Sequence, residues 1–520
     1  MATFDLNDNS VVVIIGSGAG GATLGNELAQ KGVKVVCLEA GPRLQLSDIS
    51  NDFFGMFGKL SWLDKRVGSG ALDPELPAWI CKTVGGTTMH WAGASLRFQA
   101  HEWQALTTYG SIRGANLLDW PTTHEEMEPY YSKAEKKMGT TGTDASGLPR
   151  LPGNNNFKVL HYGAKKVGYQ EVHTGNMSVN SRPYDNRPQC RQIGFCMSGC
   201  PIGARWSTLY TEVPRAEATG NFELRPDSHA VQIEHDSSGK ASGVVYIDAA
   251  GNRQRQKARV VCVAGNSIET PRLLLLSESS KFPDGLANSS GQVGKNYMPH
   301  LTGAVYAIMP GEVNLHRGTQ MAGIIRDEQI HQPERGFAAG YELETLPAFG
   351  MPGFALYAKP GGWGREYARD IEAYRNAAGL WIVGEDLPQQ SNAVTLDAQV
   401  KDQHGLPVAH VHREDHANDT AMRNHAFKAA TAVYEAAGAR KVYTRGPFSS
   451  SHNLGTCRQS AQARDGVCNK FSQTHDIGNL FIADGSQFTT SAAENPTLTI
   501  VALAIRQADY LAGELSAGNI

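Results

Sequence analysis

One loop near the N-terminus limits what this chain can fold into. Val11–Ile15 is an uninterrupted apolar run, the pattern of a strand buried on both faces in a parallel sheet. Gly16, Gly18 and Gly21 follow in the spacing G-x-G-x-x-G. The first glycine permits a tight turn, the second lets backbone approach a pyrophosphate, and the third lets helix and strand pack closely. Leu24 and Leu28 stand four apart, and their segment ends at Lys31-Gly32, as a helix with a glycine stop does. Val33–Leu38 reads as the next strand. Glu39 closes it 23 positions after Gly16, where a carboxylate accepts hydrogen bonds from an unphosphorylated adenosine ribose. Strand, turn, helix, strand and acid in register specify a dinucleotide site. They do not separate NAD from FAD.

Composition narrows the class. A chain of 520 residues with 41% hydrophobic and 19% charged residues can bury one large core or several units. Its formal charge of −3 supplies no basic field for nucleic acid or anionic lipid. No apolar run approaches the roughly 20 residues of a membrane span. The segment MATFDLNDNS has no basic region, and the VVVII after it leads into the glycine loop, so it reads as a strand approach and not as an export signal. The expected location is a bacterial cytoplasm or periplasm, the latter by export in complex with a signal-bearing partner.

Of eight cysteines, three fall within eleven positions: Cys190, Cys196 and Cys200, in CRQIGFCMSGCP. The spacing is neither that of a zinc ribbon nor that of a redox C-x-x-C. Three thiolates on a glycine-containing loop closed by Pro201 suit a cuboidal iron–sulfur cluster with three cysteine ligands. The alternatives are three unconnected loop cysteines, or a disulfide plus one spare. The other five are scattered and form no disulfide framework.

Several blocks carry a resemblance. VGGTTMHW (Val84–Trp91), AGNSIETPRLLLLS (Ala264–Ser277) and NLFIADGSQF…AENPTLTIVALAIR (Asn479–Arg506) together resemble the glucose–methanol–choline (GMC) flavoprotein family, in the right order after the N-terminal fingerprint. The resemblance is weakest between about Met309 and Arg445. It implies FAD as the dinucleotide, and an α/β fold with a Rossmann-type FAD domain beside a substrate domain on a largely antiparallel sheet. The implied FAD domain is discontinuous, 1–110, 205–300 and 446–520. An excursion, 111–204, carries the cysteine loop at 181–204, and 301–445 forms the substrate domain. With the preceding SRPYDNRP, the cysteine loop resembles that of bacterial FAD-dependent sugar dehydrogenases, whose large subunits carry a 3Fe–4S cluster at this cysteine spacing. Some of those have an extra cysteine directly after the first ligand; here it is Arg191.

The resemblance also implies roles for single residues. Gly85, Gly86 and Thr87 would line the flavin phosphates and ring edge. Val231 would pair its backbone with the adenine, and Asp484 would sit near the ribityl chain. His90 and Trp91 would face the flavin. Some relatives attach FAD covalently to a histidine at the position of His90; a packed, hydrogen-bonded His90 is the alternative. His452, in SSSHNLGTCR, and Asn495, in AENPTLTI, match the family's catalytic pair. A histidine can take the hydroxyl proton near neutral pH, and an asparagine can orient that hydroxyl without titrating. Pro496 is placed to open a long apolar helix, Thr497–Leu511, whose positive end would face the flavin; a helix start without chemistry is equally compatible.

Other segments read as structure. Glu385 and Asp386 are expected in a solvated turn, the alternative being that they line a carbohydrate pocket, and Glu494 as a favourable charge near a helix start. HVHREDHAND (His410–Asp419) is expected to be a charged surface segment. Cys457 and Cys468 are expected to be buried small residues. The stretches Leu148–Asn155 and Met351–Arg365 read as loops.

The resulting expectation is an FAD-dependent dehydrogenase acting on a sugar or glycoside hydroxyl, with a lean to C3 of a glycoside from the C-terminal run. Electrons would pass through the cluster to a cytochrome c or quinone-linked acceptor, with a small accessory subunit. The rivals are a glucose or polyol dehydrogenase, an oxygen-using oxidase, and a lyase with structural FAD.

Overall fold

A computed structural model describes residues 3–347, 350–355, 362–447 and 449–520. Its first sheet is five-stranded and all parallel, in the order Leu480–Ile482, Val260–Val263, Val12–Ile15, Val35–Leu38, Phe222–Arg225. The N-terminal strand sits at its centre because every residue from Val12 to Ile15 is buried, as a strand covered on both faces requires. Helix Ala19–Gln30 ends at Lys31, and Gly32 adopts φ +81° after it. The C-terminal helix runs Thr497–Ala517, longer than its apolar pattern suggested, and ends at Gly518 in the left-handed region.

The second sheet is six-stranded and antiparallel throughout, in the order Lys441–Arg445, Leu301–Ile308, Ala377–Gly384, Tyr341–Thr345, Gly323–Ile325, Val172–Thr174. Five strands come from the expected region, and the sixth is lent by the segment before the cysteines. Helices Asn155–Val167 and Ala417–Ala436 pack on this sheet through Leu160, Ala164, Met422, Ala426, Ala430 and Val433. Two three-stranded sheets complete the fold: the meander His229–His235, Ala241–Ile247, Arg253–Lys257, and the set Ala393–Lys401, Pro407–Arg413, Val67–Gly70.

Some local expectations are corrected. Glu385 and Asp386 are not in a solvated turn: they are 0% and 1% exposed, just past the end of a central strand. The His410–Asp419 segment is only partly at the surface. Its Arg413 is buried and pairs with Asp415, Asp386 and Asp419, because the strand carries it into the core. Glu494 is also fully buried. Cys457 and Cys468 are buried, as expected. Of the Met351–Arg365 stretch, residues 356–361 lie outside the described residues; the flanks are helical at Gly350–Gly353 and Gly364–Glu372.

Candidate active site

A chamber of about 500 Å³ runs between the two large sheets, within the size range of a cofactor site. One end is built from the glycine loop. A Cβ on Gly16 would lie 2.3 Å from the Ala264 carbonyl oxygen, and one on Gly86 would lie 2.9 Å from the Cα of Gly18. Two backbone turns therefore meet with no side chain between them, and Gly16, Gly18, Gly86 and Thr87 line the chamber there. Gly21 and Gly85 stand behind that wall. Gly21 has room only for hydrogen, since a Cβ would lie 2.1 Å from the Gly16 oxygen. Gly85, at φ +102°, donates its N–H to Ser17 Oγ at 3.1 Å.

Two carboxylates mark this end. Glu39 accepts from the Ser17 N–H (3.0 Å), the Ser17 hydroxyl (2.7 Å) and the Gly41 N–H (3.0 Å). Burial pushes its pKa up, and these donors oppose the rise. A carboxylate has about four acceptor sites, so one remains for a ribose hydroxyl. Asp484 also lines the chamber, but Asn266 N–H, the Thr270 hydroxyl and both Ser486 donors occupy its acceptor sites. It ties the chamber wall together. Val231 lines the chamber too. The strand ladder slips between Ala230 and Gln232, which leaves Val231 as a bulged residue outside the pairing.

A second part of the chamber wall holds His452, Asn495, His90 and Trp91. His452 Nδ1 lies 3.0 Å from His300 Nδ1, the rings meeting edge-on at 89°, and Trp381 packs against its other side at 5.3 Å. The ring is reached from the chamber and otherwise enclosed, and that enclosure holds its pKa well below 6.5. Asn495 makes a long 3.5 Å contact to Glu344, and Pro496 precedes the C-terminal helix, whose first turn also lines the chamber. His90 stacks on Trp79 at 4.2 Å; burial and the Arg205 charge lower its pKa to about 3. Its Nε2 has no protein partner among the described residues.

Behind this end lies a group of buried acids that the sequence reading missed or set at the surface. Glu102, Glu342, Glu344, Glu385, Asp386 and Glu494 are at most 1% exposed. Arg326 bridges Glu342 (2.8 Å) and Glu494 (3.1 Å), and the Tyr109 hydroxyl donates to Glu385 at 2.7 Å. Burial raises all six pKa values, Glu102 and Asp386 to about 7, Glu342 and Glu385 to about 8. No motif marks these acids; strand alternation in YELET, which puts Glu342 and Glu344 on one face, was the available signal.

The cysteine loop packs against the chamber wall. Arg205 donates to the carbonyl oxygens of Cys196 (2.6 Å), Met89 (2.8 Å) and Trp91, and Met197 reaches the chamber. Cys190, Cys196 and Cys200 are free thiols of intermediate exposure. Among the described residues they do not converge as donors around one metal ion. A cuboidal cluster puts each thiolate on a different iron, so its ligands stand apart where those of a single ion would meet. The donor set is compatible with that arrangement.

A parallel sheet with a glycine turn, a buried acid beside it and a histidine lining the same chamber are the parts of a dinucleotide-dependent oxidoreductase. The chain matches the N-terminal GMC oxidoreductase model over residues 7–302 and the C-terminal GMC oxidoreductase model over 388–504. It belongs to the GMC oxidoreductase family, and is an FAD-dependent oxidoreductase acting on CH–OH groups of alcohols or sugars. It is 34% identical to 2-methyl-1,2-propanediol dehydrogenase of Mycolicibacterium austroafricanum, over 98% of this chain and 96% of that protein. It is 29% identical to the fructose dehydrogenase large subunit of Gluconobacter japonicus, over 98% of each. Among solved structures it superposes on a pyridoxine 4-oxidase from "Mesorbium loti" with a TM-score of 0.70 at 16% identity, covering 96% of this chain and 99% of that one. At that identity the likeness concerns the fold. Among the described residues no helix is long and apolar enough to cross a membrane.

Proposed function

We propose that this chain is a dehydrogenase of a sugar or glycoside hydroxyl, with C3 of a glycoside as the preferred position, delivering its electrons to an external acceptor. The observation that carries the reading is that His452 and Asn495 line the same chamber as the dinucleotide turn. FAD, when bound, supplies the two-electron acceptor for the hydrogen leaving the carbinol carbon. His452 takes the hydroxyl proton, and its enclosure keeps it neutral, hence able to accept. Asn495 holds the same hydroxyl by a hydrogen bond. The first turn of the Thr497–Ala517 helix brings partial positive charge to the chamber.

Cys190, Cys196 and Cys200 would hold a 3Fe–4S cluster, supplying one-electron relay toward a cytochrome c or quinone-linked partner. Support comes from their spacing and from the Arg205 tether between the cysteine loop and the Met89–Trp91 wall. A second reading is oxidation of a small vicinal diol, favoured by the 34% identity to a propanediol dehydrogenase over nearly the full chain.

Product NMR after dye-coupled turnover of a methyl glycoside and of 2-methyl-1,2-propanediol tests the substrate. A 3-keto glycoside is the expected product; turnover of the diol alone favours the second reading. Iron and acid-labile sulfide analysis of anaerobically purified protein tests the cluster. Cys196→Ser is expected to lose iron, keep flavin reduction by substrate, and fail in turnover with the external acceptor. Iron-free wild-type protein with full acceptor turnover removes the relay.

A further inference from the structure

His300 appears in no motif of the sequence reading, yet it is the hydrogen-bonding neighbour of His452. The two rings and one carbonyl form a chain whose proton positions follow from chemistry. The Ser491 carbonyl oxygen lies 2.9 Å from His300 Nε2, and a carbonyl only accepts, so Nε2 carries the hydrogen. A neutral imidazole with its hydrogen on Nε2 has a lone pair on Nδ1. That Nδ1 is 3.0 Å from His452 Nδ1. Two lone pairs at this distance would face each other, so His452 must carry its hydrogen on Nδ1. Its Nε2 is then the basic nitrogen, and among the described residues no protein group hydrogen-bonds it.

We infer that His300 is a positioning residue that holds His452 in the tautomer able to take a substrate proton. The inference rests on His452 being the base, and goes beyond that reading by naming what makes it one. The role resembles that of the carboxylate behind a catalytic histidine, with a difference in charge: here the orienting group is neutral.

Two further observations support the assignment. His300 has φ +63°, an uncommon conformation for a residue with a side chain, so the surrounding structure holds it against a local cost. It is also 2% exposed, and burial lowers its pKa to about 4, which keeps it neutral over the working range. Glu39, Glu269, Arg272, Arg445 and Asp484 line the same chamber, while His300 is the titratable group that hydrogen-bonds His452.

When the substrate O–H bond breaks, the proton binds His452 Nε2. The resulting imidazolium keeps donating its Nδ1–H to His300, which neither gains nor loses a proton. Without a carboxylate behind it, the charged ring is weakly stabilised and returns its proton readily.

The test uses holoenzyme throughout. Histidine-selective ¹⁵N labelling should show His452 with a protonated Nδ1 and a bare Nε2. His300→Leu removes the acceptor, and flavin reduction at saturating substrate should slow by about 10- to 100-fold with substrate affinity little changed. His300→Asp restores an acceptor but adds charge, which raises the His452 pKa. Its rate should be recovered at high pH and fall as pH drops through that raised pKa, an acid limb absent from wild type. A His300→Leu enzyme that retains flavin and its ¹⁵N tautomer pattern, and reduces flavin at the wild-type rate, overturns the inference. So do Leu and Asp variants with the same pH profile. His452→Ala run beside them separates the two readings: if it too keeps its rate, His452 is not the base.

Discussion

The two ends of the chamber surround buried carboxylates differently, though burial raises the pKa of the acids at both. At the dinucleotide end, Glu39 and Asp484 are surrounded by backbone N–H and hydroxyl donors that arrive from turns and helix starts. Behind the hydroxyl end, Glu342, Glu344, Glu385 and Asp386 each keep an oxygen with no protein partner among the described residues. Glu494 keeps such an oxygen too, while Glu102 accepts from the Gln99 and Ala493 N–H groups. Donors favour the charged form, and dry burial favours the neutral one. At the first end only Glu39 keeps an acceptor site free, the one a ribose hydroxyl would use under the proposed function. The second is a set of acids that stay largely protonated near neutral pH and can donate.

Breaking the proposed proton acceptor, His452, should have the largest effect. His452→Ala should lower the rate of flavin reduction by roughly 10²–10⁴-fold, the range for a lost general base. Substrate affinity should change much less, because the proton moves only in the transition state. Anaerobic stopped-flow reads both quantities, and a near-normal rate would separate the hydroxyl end from the chemistry.

The dinucleotide end should respond in binding. Glu39→Gln replaces a charged acceptor of three protein donors, a loss of about 1.5–3 kcal/mol, or roughly 10- to 150-fold in FAD affinity. Titration of deflavinated protein with FAD measures it. Unchanged affinity would show that Glu39 serves the turn and not the ribose.

The acids behind the hydroxyl end should show in the pH dependence of stability, the smallest of these effects. Glu342 and Glu385 sit near 8 in the folded protein and near 4.5 when unfolded. The folded state thus holds more protons between these values, and stability must fall as pH rises through that window. The melting temperature of holoenzyme should drop by a few degrees from about pH 5 to 8. Glu385→Gln, which cannot ionise, should shallow that slope and cost little at pH 7. An equal loss at pH 7 and at pH 9 would mean that the acid is already charged at pH 7 and the contrast between the two ends is wrong.

The sequence by itself determined the parallel sheet, its glycine turn and Glu39, because each follows from residues within a few positions of one another. The FAD dependence and the GMC fold were legible from several motifs in a fixed order. An antiparallel second sheet was legible in outline, though not its sixth strand, which comes from 172–174. Tertiary structure decided the rest. Glu385 and Asp386 look like a polar turn in GEDLPQQSN, and burial depends on Arg413 and Tyr109 arriving from distant segments. His300 and His452 are 152 positions apart, and nothing local to either announces the other. Backbone turns and strand periodicity are short-range properties written into consecutive residues. The ionisation of an acid and the tautomer of a histidine depend on which groups the folded chain brings within about 3 Å, and only the assembled structure decides that.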